Sequence, residues 1–386
     1  MPGYEWIGEE ESEQVASIFA NGGVLFRHGF DSLRKGSYKV LEFEKKFSKH
    51  VGVSEALAVT SGTSALKIAL KALGVGPGDE VITQSFTFVA TVEAIVEVGA
   101  TPVIAEVDLS LNMNPQDLKK KITSATKAVI PVHMLGTPAR MREILSICKE
   151  ADILVLEDSA WGCGGKLGAD FLGTMGDAGA YSFDYAKTIT TGEGGMVVTK
   201  MKKILDFAKA YHDHGHENNP DLPRWEDSRS NSGFNYRMSE MQGAVGLAQL
   251  TKLDQIVSAQ RKVHDLFSQE LSFPGISFRE EPPQSYGTAD AFTFFVASKE
   301  LALVIRADLV KAGLGTKILP EAISWHFAGS WSHISQLKDQ YPNLESSFPE
   351  SRAILEKAVC IPISLRMDNA LVEKYCRVIR NSLEAV

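Results

Sequence analysis

Three short segments carry side chains that could act together on one small molecule. In YSFDYAKTITTGEGG, Lys187 lies between a predicted strand and a Gly-rich turn, four residues ahead of Thr191. A lysine that forms an imine needs a fixed, partly desolvated position so that its free amine is available near neutral pH. Most lysines, by contrast, are solvated surface charges. In ILVLED, Asp158 ends a predicted strand, and open α/β sheets bind ligands at the carboxyl ends of their strands. A carboxylate there can keep a pyridine nitrogen protonated and so turn the ring into an electron sink; it can equally just cap the next turn. In SGTSALKIAL, a strand gives way to a helix at Ser-Gly-Thr-Ser. Free backbone N–H groups and hydroxyls make that helix start an anion cradle suited to a phosphate, although Ser or Thr there also serves as an ordinary cap. Ser182, five residues before Lys187, can add a hydroxyl to the cradle. GEGG after Lys187 lacks the G-x-G-x-x-G spacing of a dinucleotide site.

The elements around these segments predict an α/β fold. LAVT, EVITQ, TPVIAEV, KAVIPVHM, ILVLED and GGMVVTK read as short, β-branched-rich strands. Between them, SALKIALKALG, ATVEAIVEVG, ARMREILSICKEAD and KKILDFAKAYH carry helical apolar spacing. Strands alternating with helices indicate a parallel sheet covered on both faces. A polar stretch over 212–232 reads as a long loop, of the kind that is usually functional or disordered. A long helical pattern from Ser239 to about Leu271 follows. SGFNYRMSEMQGAVG places Asn235 and Arg237 just before that helix, where alone they have no assigned role. The division expected is a large unit over 1–250, including an amino-terminal arm, and a smaller α+β unit over 251–386.

Composition narrows the partners. The 386 residues are 44% hydrophobic and 23% charged, with 40 Lys and Arg against 48 Asp and Glu, a formal charge of −8. That balance suits a globular protein with a large core and disfavours nucleic acid or an anionic membrane. The four cysteines have no short paired spacing, so neither a disulfide framework nor a zinc ribbon is expected. The acidic start MPGYEWIGEEESEQ is no signal peptide, and no run reaches the ~18 apolar residues of a membrane span. A cytoplasmic location is the expectation.

The order and spacing of these three segments and SGFNYRMSEMQGAVG strongly resemble the DegT/DnrJ/EryC1/StrS family of sugar aminotransferases. The resemblance runs from about Gly22 to the carboxyl end and is strongest between Ala58 and Leu250. It implies the fold-type I architecture of pyridoxal-phosphate enzymes, with a large, mostly parallel seven-stranded sheet, a small C-terminal domain and a homodimer. It makes Lys187 the imine-forming lysine and proton shuttle, with pyridoxamine phosphate as the intermediate cofactor form. Asp158 becomes the partner of the pyridinium nitrogen, Gly62, Thr63 and Ser182 become phosphate contacts, and Phe88 stacks on the ring. Asn235 becomes a phosphate contact given across the interface by the second subunit. EDSAWGCGG departs from the family pattern by placing Trp161 and Cys163 at a usually polar pair. An indole N–H can donate one hydrogen bond but accepts none.

Beyond the general family, GVLFRHGF, HDHGHE and the loop after it are similar to the aminotransferases that make 8-amino-3,8-dideoxy-D-manno-octulosonate, a lipopolysaccharide sugar. Its carboxylate would suit a bidentate arginine, which makes Arg27, His28, Arg34, His214, Arg224 and Arg229 candidate substrate contacts, although each is also an ordinary surface residue type. The alternating histidines of HDHGHE invite a metal, but Gly215 breaks the geometry and no further ligand cluster is evident, so none is expected. Glutamate is the donor in most relatives. Three rivals stand beside this reading: a nucleotide-linked keto-deoxyhexose aminotransferase, a sugar 3-dehydratase and a non-catalytic protein on the same scaffold. The dehydratases replace the lysine with His, and the non-catalytic reading gives no reason to keep lysine, aspartate and cradle together.

Overall fold

The computed structural model describes residues 3–219 and 221–385. Seven strands form the main sheet: β1 (Glu55–Val59), β2 (Glu80–Gln84), β3 (Thr101–Ala105), β4 (Thr126–Ile130), β5 (Leu154–Asp158), β6 (Ala178–Ser182) and β7 (Gly195–Thr199), in the order β1-β7-β6-β5-β4-β2-β3. All neighbouring pairs are parallel except those made by β7, which runs antiparallel to both β1 and β6. Alternate side chains feed two cores, as a period of two residues requires. Along β4, Ala128 and Ile130 join one cluster while Val129 joins the other. Helix α1 (Gly62–Ala72) covers the first face with Leu66, Ile68, Ala69 and Leu70. Helix α2 (Val89–Glu97) adds Ala94 and Ile95 to it.

The run KAVIPVHM stops as a strand at Ile130, because Pro131 has no N–H to continue the ladder. Only an isolated bridge from Val132 to Asp158 follows, then a short 3₁₀ turn, Met134–Gly136. The described residues of 212–232 form a loop stitched by isolated bridges, as its polar composition suggests.

Helix α3 (Glu240–Glu270) is capped by Ser239 and runs unbroken across residue 250. Its first half packs Leu247, Leu253, Ile256 and Val257 against Phe43 and Phe47. Its last turns place Val263 and Phe267 against Phe292, Phe294, Val359 and Ile379. There a small antiparallel sheet forms from Ser277–Phe278, Ala291–Phe295 and Ala358–Pro362. Another cluster joins Phe86 and Val132 to Phe295, Leu319, Phe327 and Trp331, so the C-terminal part packs directly beside the ends of β2 and β4. Among the described residues, no helix is long and apolar enough to cross a membrane.

Candidate active site

The carboxyl ends of the strands and the amino end of α1 converge on one cavity of about 400 Å³. Ser61 caps α1: its Oγ accepts the Ser64 N–H at 3.1 Å. The N–H groups of Gly62 and Thr63 precede any intrahelical acceptor and find no partner among the described residues. They stay available to an anion, which the helix dipole also favours. Gly62 is required by space, since a Cβ there would lie 2.7 Å from Ser182 Cβ. With no side chain in the way, the Ser182 hydroxyl sits against the helix start.

Asp158 is buried at the end of β5. One carboxylate oxygen accepts the Thr91 hydroxyl at 2.8 Å and the other the Ala160 N–H at 3.1 Å. Thr91 is itself held by the Thr87 hydroxyl at 2.8 Å. Burial pushes the Asp158 pKa up, against these two donors and the charge of Lys187. No cation forms an ion pair with it among the described residues, so a protonated ring nitrogen would relieve a real cost.

Lys187 follows a tight turn in which its N–H donates to the Asp184 carbonyl at 3.0 Å. Its amine lies 3.7 Å from the centre of the Trp161 ring. Burial lowers its pKa to about 8, with Asp290, Asp158 and Asp184 opposing that shift and Lys317 adding to it. Lys317 lies 4.8 Å from the same Trp161 ring and is paired with the buried Asp290. Phe88, at the start of α2, is 41% exposed and faces His326 with ring centres 5.7 Å apart. Burial takes the His326 pKa down to about 4. Trp325 stands at the same cavity.

These groups fit pyridoxal phosphate. Two unpartnered N–H groups and two hydroxyls suit the phosphate, a buried carboxylate without a counter-cation suits the ring nitrogen, and a low-pKa amine suits the aldehyde. Gly62, Thr63, Phe88, Asp158, Ser182 and Lys187 all line this one cavity.

The DegT/DnrJ/EryC1/StrS aminotransferase family profile matches residues 27–380. The chain belongs to that family. It is therefore a pyridoxal-phosphate-dependent sugar aminotransferase. It is 31% identical over 392 aligned residues to the spore coat polysaccharide biosynthesis protein SpsC of Bacillus subtilis, covering 97% of this chain and 95% of that one. It is 40% identical over 239 residues to GDP-perosamine synthase of Escherichia coli O157:H7, covering 62% of this chain and 64% of that protein's length. Helicobacter pylori PseC, an aminotransferase of pseudoaminic acid biosynthesis, superposes with a TM-score of 0.85 over 98% of both chains at 22% identity, which speaks for the fold.

Outside the aminotransferase cavity lie the other residues singled out from sequence. Asn235 is exposed, bridges to Asp213 and accepts the Arg237 N–H at 3.3 Å. Arg27 pairs with Glu44 at 2.6 Å and donates to the Ala58 carbonyl at 3.1 Å. Arg34 is buried, donating to the carbonyls of Gly29 and Phe26 and facing Glu240 at 3.5 Å. His28, Arg224 and Arg237 converge on the buried Asp213. His28 and Arg224 also line a second, open cavity with Phe26, Phe30 and Trp225. His216 pairs with Asp227 at 3.0 Å, Arg229 lies 3.5 Å from His216, and His214 is exposed with φ +56°. Among the described residues, no three His, Cys, Asp or Glu are grouped to hold a metal.

Sequence reasoning missed Thr91, His326, Asp290 and Lys317. Thr91 sits one helical turn beyond Phe88, a spacing that could have pointed to it. The other three come from the C-terminal part and carry no motif.

Proposed function

We propose that this aminotransferase moves an amino group from an amino-acid donor, glutamate, onto the carbonyl of an octulosonate and so forms 8-amino-3,8-dideoxy-D-manno-octulosonate for lipopolysaccharide. The observation carrying the transfer chemistry is Lys187, an amine with a pKa near 8 in the same cavity as a buried carboxylate and a phosphate cradle. The choice of acceptor rests on GVLFRHGF and HDHGHE.

When bound, the cofactor serves as an electron sink that makes the donor's α-proton acidic. The chain's own residues do the rest. Gly62, Thr63 and Ser182 hold the phosphate. Asp158 keeps a proton on the ring nitrogen, aided by Thr91. Lys187 Nζ, its pKa lowered to about 8, takes the proton from the donor's α-carbon and later returns one to the acceptor side. Phe88 and Trp161 wall the cavity.

The working unit in this proposal is a homodimer in which Asn235 completes the partner's phosphate site. Its support is the exposure of Asn235 and of the large apolar side chains of Phe26, Phe30, Leu33 and Phe234, the residue type that interaction sites bury. His28, Arg224 and Arg229 then belong to the same subunit boundary as candidate acceptor contacts, with Arg27, Arg34 and His214 around them. The large unit, 1–250, supplies the cradle and lysine, and 251–386 closes the cavity with His326; the location is cytoplasmic.

A second reading has its own support. A relative 40% identical is named for a nucleotide-linked sugar, GDP-perosamine, so a nucleotide-linked keto-deoxyhexose is the competing acceptor. Mixing the pyridoxamine-loaded protein with a panel of oxidised sugars separates the two. The proposal expects the free octulosonate aldehyde to restore the cofactor's aldehyde absorbance and give the matching product mass. Turnover of nucleotide sugars alone would replace it with the second reading.

A further inference from the structure

We infer that the amino-terminal segment Gly3–Trp6 is a strap that fixes the backbone from which Lys187 reaches into the cavity, with Gly3, Tyr4 and Glu5 as positioning residues. The inference rests on Lys187 being the reacting lysine and concerns how that lysine is held.

Four contacts, from consecutive residues, tie distant parts of the chain together. The Gly3 N–H donates to the carbonyl oxygen of Lys187 itself at 3.1 Å. A Cβ on Gly3 would lie 2.8 Å from that same oxygen and 3.1 Å from Ile189 Cα. The fit is backbone against backbone, with no room for any side chain. Tyr4 stacks on Tyr185, two residues before the lysine, with ring centres 4.7 Å apart and planes 16° from parallel. The Glu5 carboxylate accepts the Ser364 hydroxyl and the Leu365 N–H, each at 2.7 Å. The Trp6 carbonyl accepts Lys252 Nζ from α3 at 2.8 Å, and Lys252 also pairs with Glu11 at 2.8 Å.

The lysine's loop needs such a hold. Between β6 and β7 the chain makes no ladder at 184–190, and the turn is held locally by the Lys187 and Ala186 N–H groups on Asp184. Beyond it, the Thr190 N–H reaches Gln249 of α3 at 3.2 Å. The strap therefore supplies the loop's anchor next to the lysine, and passes it on to the C-terminal part through Glu5 and to the long helix through Trp6. Fixing the Cα of a four-carbon arm limits where its amine can go, which matters because reacting groups must be placed to within a fraction of an ångström.

The test compares Gly3→Ala, Tyr4→Ala and Tyr4→Phe. In cofactor-free protein, amide exchange is followed over 184–190, with α3 as the internal reference. Gly3→Ala and Tyr4→Ala should speed exchange across 184–190 and leave α3 unchanged. In loaded protein they should lower kcat about tenfold while KM stays within about twofold. Tyr4→Phe, which keeps the stacked ring, should match the parent in both measurements. If a variant also loosens α3, Glu5→Ala releases the strap from its far end and is judged by the same readouts. Unchanged exchange over 184–190, or Tyr4→Phe as damaging as Tyr4→Ala, overturns the inference. Failure of the lysine assignment would instead show as turnover surviving Lys187→Ala, whatever the exchange result.

Discussion

The cofactor cavity and the cluster around Asp213 both bury charge, and they treat it in opposite ways. Asp213 is surrounded by His28, Arg224 and Arg237, and these partners hold its pKa far below the usual carboxylate range despite burial. In the cavity, Asp158 accepts hydrogen bonds only from neutral donors and the Lys187 amine faces the Trp161 ring, with no ion pair among the described residues. Burial shifts each of them toward its neutral form, Asp158 up and Lys187 down to about 8. A buried charge whose partners are all present serves the fold. One left short of a partner is poised for something that arrives later.

The comparison breaks first at Lys187. Replacing it with Ala should cut turnover by about 10⁴-fold or more, the scale of losing a proton-transfer group, while thermal unfolding of the cofactor-free protein shows no loss of stability. Asp158→Asn should follow, with kcat down about 10²- to 10³-fold and the fold again intact, read from steady-state rates and circular dichroism. Asp213→Asn should behave in the opposite sense. It leaves two arginines without their carboxylate and should cost about 3 kcal/mol in denaturant unfolding, with the Lys187 amine titrating as before. Because the Asp213 pKa is depressed, its contribution is complete above the ordinary carboxylate range and fades only as pH falls toward the lowered folded value.

Smaller effects sharpen the contrast through pH. Lys187 releases its proton near pH 8 in the folded chain and near 10.5 when unfolded. Between those values the unfolded state binds the extra proton, so the stability of cofactor-free protein should rise with pH there. Lys187→Met should remove that slope in a series of unfolding curves. Lys317→Met takes away the cation that lowers Lys187 and leaves Asp290 free to attract it, so the Lys187 titration midpoint should move up.

What was legible in the sequence follows the same line. Strand ends, a helix cap and a Gly-rich turn are local events, and they pointed to Lys187, Asp158, Gly62, Thr63 and Ser182, while Phe88 came from the family resemblance; the fold brings all six to one cavity. The arginines near the amino end were read as substrate contacts from a motif resemblance and the fit of a guanidinium to a carboxylate, and neither reveals the partners within the chain. Arg27 meets Glu44, and Arg34 is wrapped by carbonyls and Glu240. Asp290, Lys317 and His326 were not legible because they reach the site from the C-terminal part, where only tertiary packing sets their position. The strand predicted through Pro131 failed for a local reason, the missing N–H.

The central claim is that Lys187, and no other lysine, carries the cofactor. Reducing the loaded protein with borohydride and mapping the modified peptide by mass spectrometry tests it directly. A single adduct is expected on the peptide holding Lys187, absent from Lys187→Ala. An adduct on Lys317, the second lysine against Trp161, or one that survives the substitution, would contradict it.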